Sequence, residues 1–428
     1  MHRVVKQVIV PVVISWLGLF PRVGHGHTAF VKQTDGGYNA SLAVQLTADG
    51  RIRAIYFVGL HHIARLEAGT GCVVWSEKGP GLAQRWIGSG PVLAGHVLVY
   101  ASNAIYGLSL RTGKLKWRSY AGTSTGVGLA AGPGMVYTVM GEGWGEVAVN
   151  ARDGKTEWTS FPKAYMGGPA EIRYFDGRLY ANSPYVLDAR TGRVLVRFSR
   201  RIDRTFNLSQ VYHFKLREGH IFAARTRGPV VAFDARSGRV LWTAPNPLFS
   251  PPGTEWGDRL VASDRYLVTV FYRRFVPFVY VSHRALVQVY DAANGHLLWR
   301  KEVIRHNFYL PAGLVGIGNH FLYLVEPVRK GSKPFLNPLL NRHHNPHLRR
   351  ATLERVVAYS MRTGKQEWTH VVPHIGLGVV PVGGMVLVSG SNQTLSHFFL
   401  VALNRTTGAT LWKFSFHQPA HKCLSGGQ

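Results

Sequence analysis

His343, His344 and His347 are the residues whose type and spacing most directly suggest metal chemistry. A metal site also needs a fixed geometry and a satisfied outer shell. The Pro- and Asn-rich, arginine-flanked segment around these histidines supplies neither, so no metal site is expected there. Cys72 and Cys423 stand in no Cys-x-x-Cys or Cys/His pattern. The chain contains no Gly-rich phosphate loop followed by Lys, no Gly-x-Ser-x-Gly elbow and no paired His-Glu zinc motif. What remains is the chemistry of recognition. Residues 327–353 carry Arg329, Lys330, Lys333, Arg342, Arg349 and Arg350 with no acidic residue among them. Trp86, Trp144, Trp256 and the adjacent Arg273 and Arg274 add aromatic and guanidinium groups, the types that most often anchor interfaces.

The elements that must position these groups are read from an internal repeat. The segment from Val231 to Trp242 recurs with its glycine at Gly71, Gly113, Gly154, Gly192, Gly238, Gly295, Gly364 and Gly408. Beyond the glycine comes Trp75, Trp117, Trp158, Trp242, Trp299, Trp368 or Trp412; only the fourth copy departs, with Val196. Ahead of the glycine stands a polar side chain: Glu67, Ser109, Asn150, Asp188, Asp234, Asp291, Ser360 or Asn404. Such a side chain accepts a hydrogen bond from a backbone N–H further round a turn. Glycine supplies the left-handed conformation at the exit of a tight hairpin. The apolar alternation on either side reads as two antiparallel strands, and the tryptophan as a plate pressed on a neighbouring sheet. Most intervals are about 40 residues, room for four short strands per unit. The second copy shows them at 90–94, 97–100, 104–108 and 115–117. The predicted fold is all-β: an eight-bladed propeller of four-stranded antiparallel blades, running from about Tyr38 to Phe416.

These residues resemble the PQQ-like repeat, a strand, an Ala-x-Asp-x-x-Thr-Gly turn and a strand ending in Trp. The resemblance implies one of two roles. Quinoprotein dehydrogenases of alcohols and aldehydes carry this repeat, and so does the propeller lipoprotein of the outer-membrane β-barrel assembly machinery, a scaffold without cofactor. The enzyme reading requires pyrroloquinoline quinone, a calcium-type ion held by oxygen ligands, and a carboxylate base. Asp153, Asp188, Asp234 and Asp291 belong to turns, and Glu157 and Glu367 sit beside the repeat tryptophan. Glu142, Glu146, Glu171, Glu255, Asp258 and Glu326 remain as ligands or base on that reading. The adjacent cysteines of the alcohol dehydrogenases are missing, as is a Cys-x-x-Cys-His haem attachment. The scaffold reading is therefore preferred, with no cofactor and no catalytic residue expected and the dehydrogenase kept as the alternative.

In a propeller the first-to-second and third-to-fourth hairpins share one face, and the remaining connections share the other. The departures from the repeat map to that second face. The long interval before Gly295 reads as an extended second-to-third hairpin holding Arg273 and Arg274, and the one before Gly364 holds the basic insertion 327–353. Trp86 and Trp256 are expected in linkers between blades, and Trp144 in a second-to-third hairpin. This face is the expected partner-binding surface, since loops on a rigid scaffold carry binding. The alternative is that the tryptophans pack beneath linkers and the insertion is merely solvated.

The sequence has 50 Lys and Arg against 22 Asp and Glu, a net charge of +28, which favours anionic partners. Met1 to Lys6 is basic, an apolar run from Val8 to Phe20 follows, and Gly24 and Gly26 are small: a secretory signal peptide over 1–26, too short to span a bilayer. Residues 27–428 are then one propeller domain, exported to the periplasm or beyond, and expected to be a monomer. Export removes intracellular nucleic acid from consideration and leaves a protein or anionic envelope component. Cys72 and Cys423 would become neighbours in a closed ring, as a disulfide or as two thiols.

Overall fold

The computed structural model describes residues 41–59, 61–82, 89–121, 128–140, 145–160, 172–181, 185–197, 213–217, 219–224, 229–245, 255–275, 280–304, 315–328, 354–372, 375–391 and 398–416. They form eight four-stranded antiparallel sheets, each a meander of four consecutive strands. Numbered β1 to β32 in chain order, the strands make blades 1 to 8 over 41–78, 89–119, 129–160, 172–197, 213–244, 255–304, 315–372 and 375–415. The expected propeller is found, and the strands read from the second copy match β5 (Ser89–Ala94), β6 (Val97–Ala101), β7 (Ile105–Ser109) and β8 (Leu115–Ser119) to within two residues at each end. No helix among the described residues is long and apolar enough to cross a membrane.

Alternation makes each sheet two-faced, and the core consists of eight apolar clusters, one between each pair of neighbouring blades. Leu42, Val44, Ile55 and Phe57 of blade 1 meet Leu387, Leu400, Trp412 and Phe414 of blade 8 in the cluster that closes the ring. Among the described residues no strand is exchanged between blades. Among the described residues, closure is made by side-chain packing and no shared backbone ladder. Phe416 completes it, stacked on Phe57 with ring centroids 5.3 Å apart.

Every third-to-fourth hairpin is built as its sequence dictates. The Asp234 carboxylate accepts from the Ser237 amide at 2.7 Å and the Ser237 hydroxyl at 2.6 Å, and these bonds hold it below the usual carboxylate range. Gly113 turns its chain at φ 73°, and a Cβ there would lie 2.6 Å from the ring of Trp75 in the preceding blade. The tryptophan thus packs flat on the next blade's turn, which only glycine allows.

Each tryptophan also donates a hydrogen bond. Trp75, Trp117, Trp158, Trp242, Trp299 and Trp368 donate through Nε1 to the carbonyls of Leu110, Ala151, Ala189, Ala292, Met361 and Arg405 in the next blade, at 2.8 to 3.2 Å. The amides of these same acceptor residues donate to the first-to-second turn of their own blade, as Ala151 does to Gly134 at 2.9 Å. In each of these blades one residue therefore ties two turns and a neighbouring sheet together. Those bonds also place both turn sets on one face, as expected.

Blade 4 shows how the departure is accommodated. With Val196 in place of tryptophan, the Ala235 carbonyl is taken by the hydroxyl of Tyr180 from β14 (Arg178–Ala181), at 3.0 Å. The Arg178 guanidinium reaches the Arg236 carbonyl at 3.0 Å, and Arg236 pairs with Asp176 at 2.5 Å. Cys72 is a half-buried free thiol, and Cys423 lies outside the described residues.

Candidate functional site

On the second face, blades 6 and 7 carry hairpins that outgrow the repeat. β22 (Tyr266–Phe275) and β23 (Tyr280–Asp291) stay paired out to Arg274 with Val281 and Phe275 with Tyr280. This is the extended hairpin expected there. Arg273 sits where the register shifts, a bulge of the kind that bends a strand. Trp256 differs from expectation: it lies in β21 (Glu255–Ala262), paired with Tyr272, and not in a linker. The reason is the length of the hairpin. Once β22 runs on to Phe275, its ladder needs a partner, and the chain around Trp256 supplies it. The fold thus brings Trp256, Arg273 and Arg274 to adjacent strands of one blade.

The basic insertion leaves from β26 (Phe321–Pro327) and returns in β27 (Glu354–Ser360). Pro327, expected in the insertion, is the last residue of β26 and pairs with Glu354, so the root of the insertion is a closed ladder. Arg329, Lys330, Arg342, Arg349, Arg350 and the three histidines lie outside the described residues, as do Trp86 and Trp144.

Just inside that root sits a buried ionic group. Glu326, 5% exposed, accepts from the Tyr359 hydroxyl at 2.5 Å and from Arg355 Nη2 at 3.1 Å. Lys301 of blade 6 places its ammonium 4.4 Å from the centre of the Tyr359 ring. Both oxygens of Glu326 are engaged, and burial with the Glu326 contact raises the Tyr359 phenol above its usual range. Nothing in the sequence marked Arg355, Tyr359 and Lys301 as partners. Glu326 shares its parity along β26 with Leu322 and Leu324, which face blade 6, while Tyr323 and Val325 face blade 8.

Glu146 is a different case. It lies near the start of β11 (Gly145–Asn150), at the same second-face edge, on the side of the strand that Ala148 presents to blade 4. It is 3% exposed, and its Oε2 has no hydrogen-bond partner. Burial pushes its carboxyl up to about 7, against a small opposing effect of its own amide. Glu255 and Asp258 are in β21, and Glu142 and Glu171 lie outside the described residues. Glu146 is on the side of its strand that packs against blade 4, and Glu326 is engaged by Arg355 and Tyr359 of its own blade, so the two carboxylates serve separate environments. Among the described residues there is no group of three His, Cys, Asp or Glu placed to hold a metal.

The model of one protein family, described as outer membrane protein assembly factor BamB, matches residues 60–182 and 101–331. None of the curated proteins matches. Among solved structures, Sqt1 of Saccharomyces cerevisiae is 12% identical, with 85% of this chain and 95% of that one covered at a TM-score of 0.56. Dihydro-heme d1 dehydrogenase NirN in complex with DHE is 13% identical, with 83% and 71% covered at 0.53. BamB from Moraxella catarrhalis is also 13% identical, with 76% and 84% covered at 0.47. At these identities the likenesses to Sqt1 and NirN speak to the fold alone.

Proposed function

Because the chain belongs to the PQQ-like propeller family described as outer membrane protein assembly factor BamB, we propose that it is an exported, non-catalytic scaffold that holds a protein of the cell envelope. The sharpest version is a part in outer-membrane protein assembly. One observation carries the reading: neighbouring blades 6 and 7 depart from the repeat on the same face. One does so by a hairpin paired out to Phe275 and Tyr280, the other by an insertion whose root is closed between Pro327 and Glu354. A ladder braced from within by Glu326 and Arg355 is a firm base for a docking loop.

The dehydrogenase alternative asks more of the acids than those described can give. A calcium site needs several free, charged oxygens converging on one point. Glu326 is spent on Arg355 and Tyr359, and burial raises the Glu146 carboxyl to about 7, which weakens it as a ligand for a cation. These two residues do not fit such a site, and no catalytic step is derived for it.

The test replaces the stretch between Pro327 and Glu354 by a short turn and compares both chains by crosslinking and mass spectrometry in envelope extracts. A partner crosslinked to blades 6 and 7 and lost on shortening, with an unchanged melting transition, supports the scaffold. The same crosslinks in both chains would refute the docking role of this face. Saturable quinone binding with dye-linked turnover would replace the reading altogether.

A further inference from the structure

The opposite face has its own chemistry. On the third-to-fourth turns of blades 2 to 5, basic residues flank the glycine in pairs: Arg111 and Lys114, Arg152 and Lys155, Arg190 and Arg193, Arg236 and Arg239. Blade 7 repeats the pattern with Arg362 and Lys365. All ten side chains are exposed. The turns of blades 2 to 5 set eight basic side chains against three acids, Asp153, Asp188 and Asp234, which offset them only in part. Asp188 and Asp234 direct their carboxylates into the turn backbone. Asp153 reaches Lys155 only at 3.9 Å, and Arg236 is paired with Asp176. Arg190 and Arg239 lie within electrostatic reach of Asp188 and Asp234, whereas no ion pair engages Arg111, Lys114, Arg152 or Arg193 among the described residues.

Exposed aliphatic side chains follow these turns directly. Leu115 is 50% exposed, Leu195 48% and Leu241 38%, with Val194 and Val240 beside the latter two. The arc is therefore both basic and apolar. It is also rigid, because each turn is tied to its own blade's other turn and to the preceding blade by tryptophan or Tyr180. The turn tips of a closed propeller lie in one plane, so the charges form a fixed, flat array.

We infer that this turn face docks on an anionic lipid surface. Arg and Lys meet the headgroup phosphates, while Leu115, Leu195 and Leu241 enter the boundary between headgroup and acyl chain. Flatness and the interleaved aliphatic residues favour a bilayer over a linear polyanion, which a groove would suit better. Basic residues with apolar neighbours are the general signature of interfacial adsorption. This surface is separate from the docking face of blades 6 and 7. The two ideas fail independently: one in partner crosslinking, the other in vesicle binding.

The test is sedimentation of the purified chain with phosphatidylcholine vesicles, with and without phosphatidylglycerol. Binding only to the anionic vesicles is expected. Arg190→Ser with Arg193→Ser and Arg239→Ser should weaken it about 100-fold, from three cations removed. Leu195→Ser with Leu241→Ser should weaken it severalfold at unchanged charge. Because the whole chain is strongly cationic, a control removes the same charge elsewhere: Lys78→Ser, Arg118→Ser and Arg300→Ser, none of them on a turn of this face, should change binding less than about twofold. Equal losses from both triple variants would reduce the effect to net charge and overturn the inference. So would heparin retention that falls in the arginine variant without any vesicle binding, which would reassign the face to a linear polyanion. Circular dichroism of each variant separates misfolding from lost contact.

Discussion

The indole Nε1 of Trp412 donates to the carbonyl of Ala68 at 2.8 Å, joining residues 344 positions apart. It repeats, between the last blade and the first, the bond made at six other junctions. At those junctions the chain also runs from one blade into the next. At this one, among the described residues, the bond, the cluster around Leu42 and Leu400, and the stack of Phe416 on Phe57 hold the ring shut.

Trp412 should therefore be the most sensitive of the docking tryptophans. Trp412→Phe leaves the Ala68 carbonyl buried without a donor, at about 1–3 kcal/mol, and Trp412→Ala adds a cavity for about 3–5 kcal/mol in all. Urea denaturation measures both. A loss no greater than that from the same changes at Trp158 would show that the seam is no weaker than an ordinary junction.

Tyr180 does in blade 4 what tryptophan does elsewhere, so Tyr180→Phe should cost about 1 kcal/mol or more. Adding Val196→Trp to that variant returns a donor to the position where the other blades carry one. The double variant should recover most of the loss in thermal melts. Simple addition of two losses would disprove the equivalence.

Two glycines separate backbone strain from docking. Gly50→Ala meets a positive φ of 78° and nothing within 4 Å, whereas Gly113→Ala meets φ 73° and the Trp75 ring at 2.6 Å. The first should cost about 1–2 kcal/mol for the left-handed backbone alone, and the second clearly more. Equal costs would mean that Trp75 moves aside freely.

Glu146 predicts a pH dependence. Its carboxyl is raised from 4.5 to about 7 in the folded chain, so the folded state holds a proton that the unfolded state has released between those values. Its contribution is fully present below pH 4.5 and is lost as the pH rises to about 7, on the order of 3 kcal/mol in total. Glu146→Gln keeps the shape and removes the titration. Subtracting its stability-versus-pH curve from that of the parent should give this slope; a flat difference would show that Glu146 is ionised in the fold.

The repeat was legible because its information is local. A polar residue, a glycine and a tryptophan within a few positions specify each turn, and eight copies specify a ring. The role of Tyr180 was not legible, since its partner Ala235 lies 55 residues on and the bond depends on the geometry of two sheets. Glu146 and Glu326 stand apart from the turn acids in the sequence, which makes them visible there. Their burial depends on which way a strand faces, which only the assembled interface decides. The strand position of Trp256 was not legible for a similar reason: β21 is prolonged by the long hairpin beside it, not by its own pattern.

Since each blade is one uninterrupted stretch of chain and the seam differs from the other junctions only in lacking a linker among the described residues, strand pairing gives the ring no privileged starting point. A circular permutant opened between any two blades, with its old ends bridged, would present the same eight interfaces in a rotated order. The same property lets a gene lengthen or shorten by whole repeats without disturbing any strand pairing.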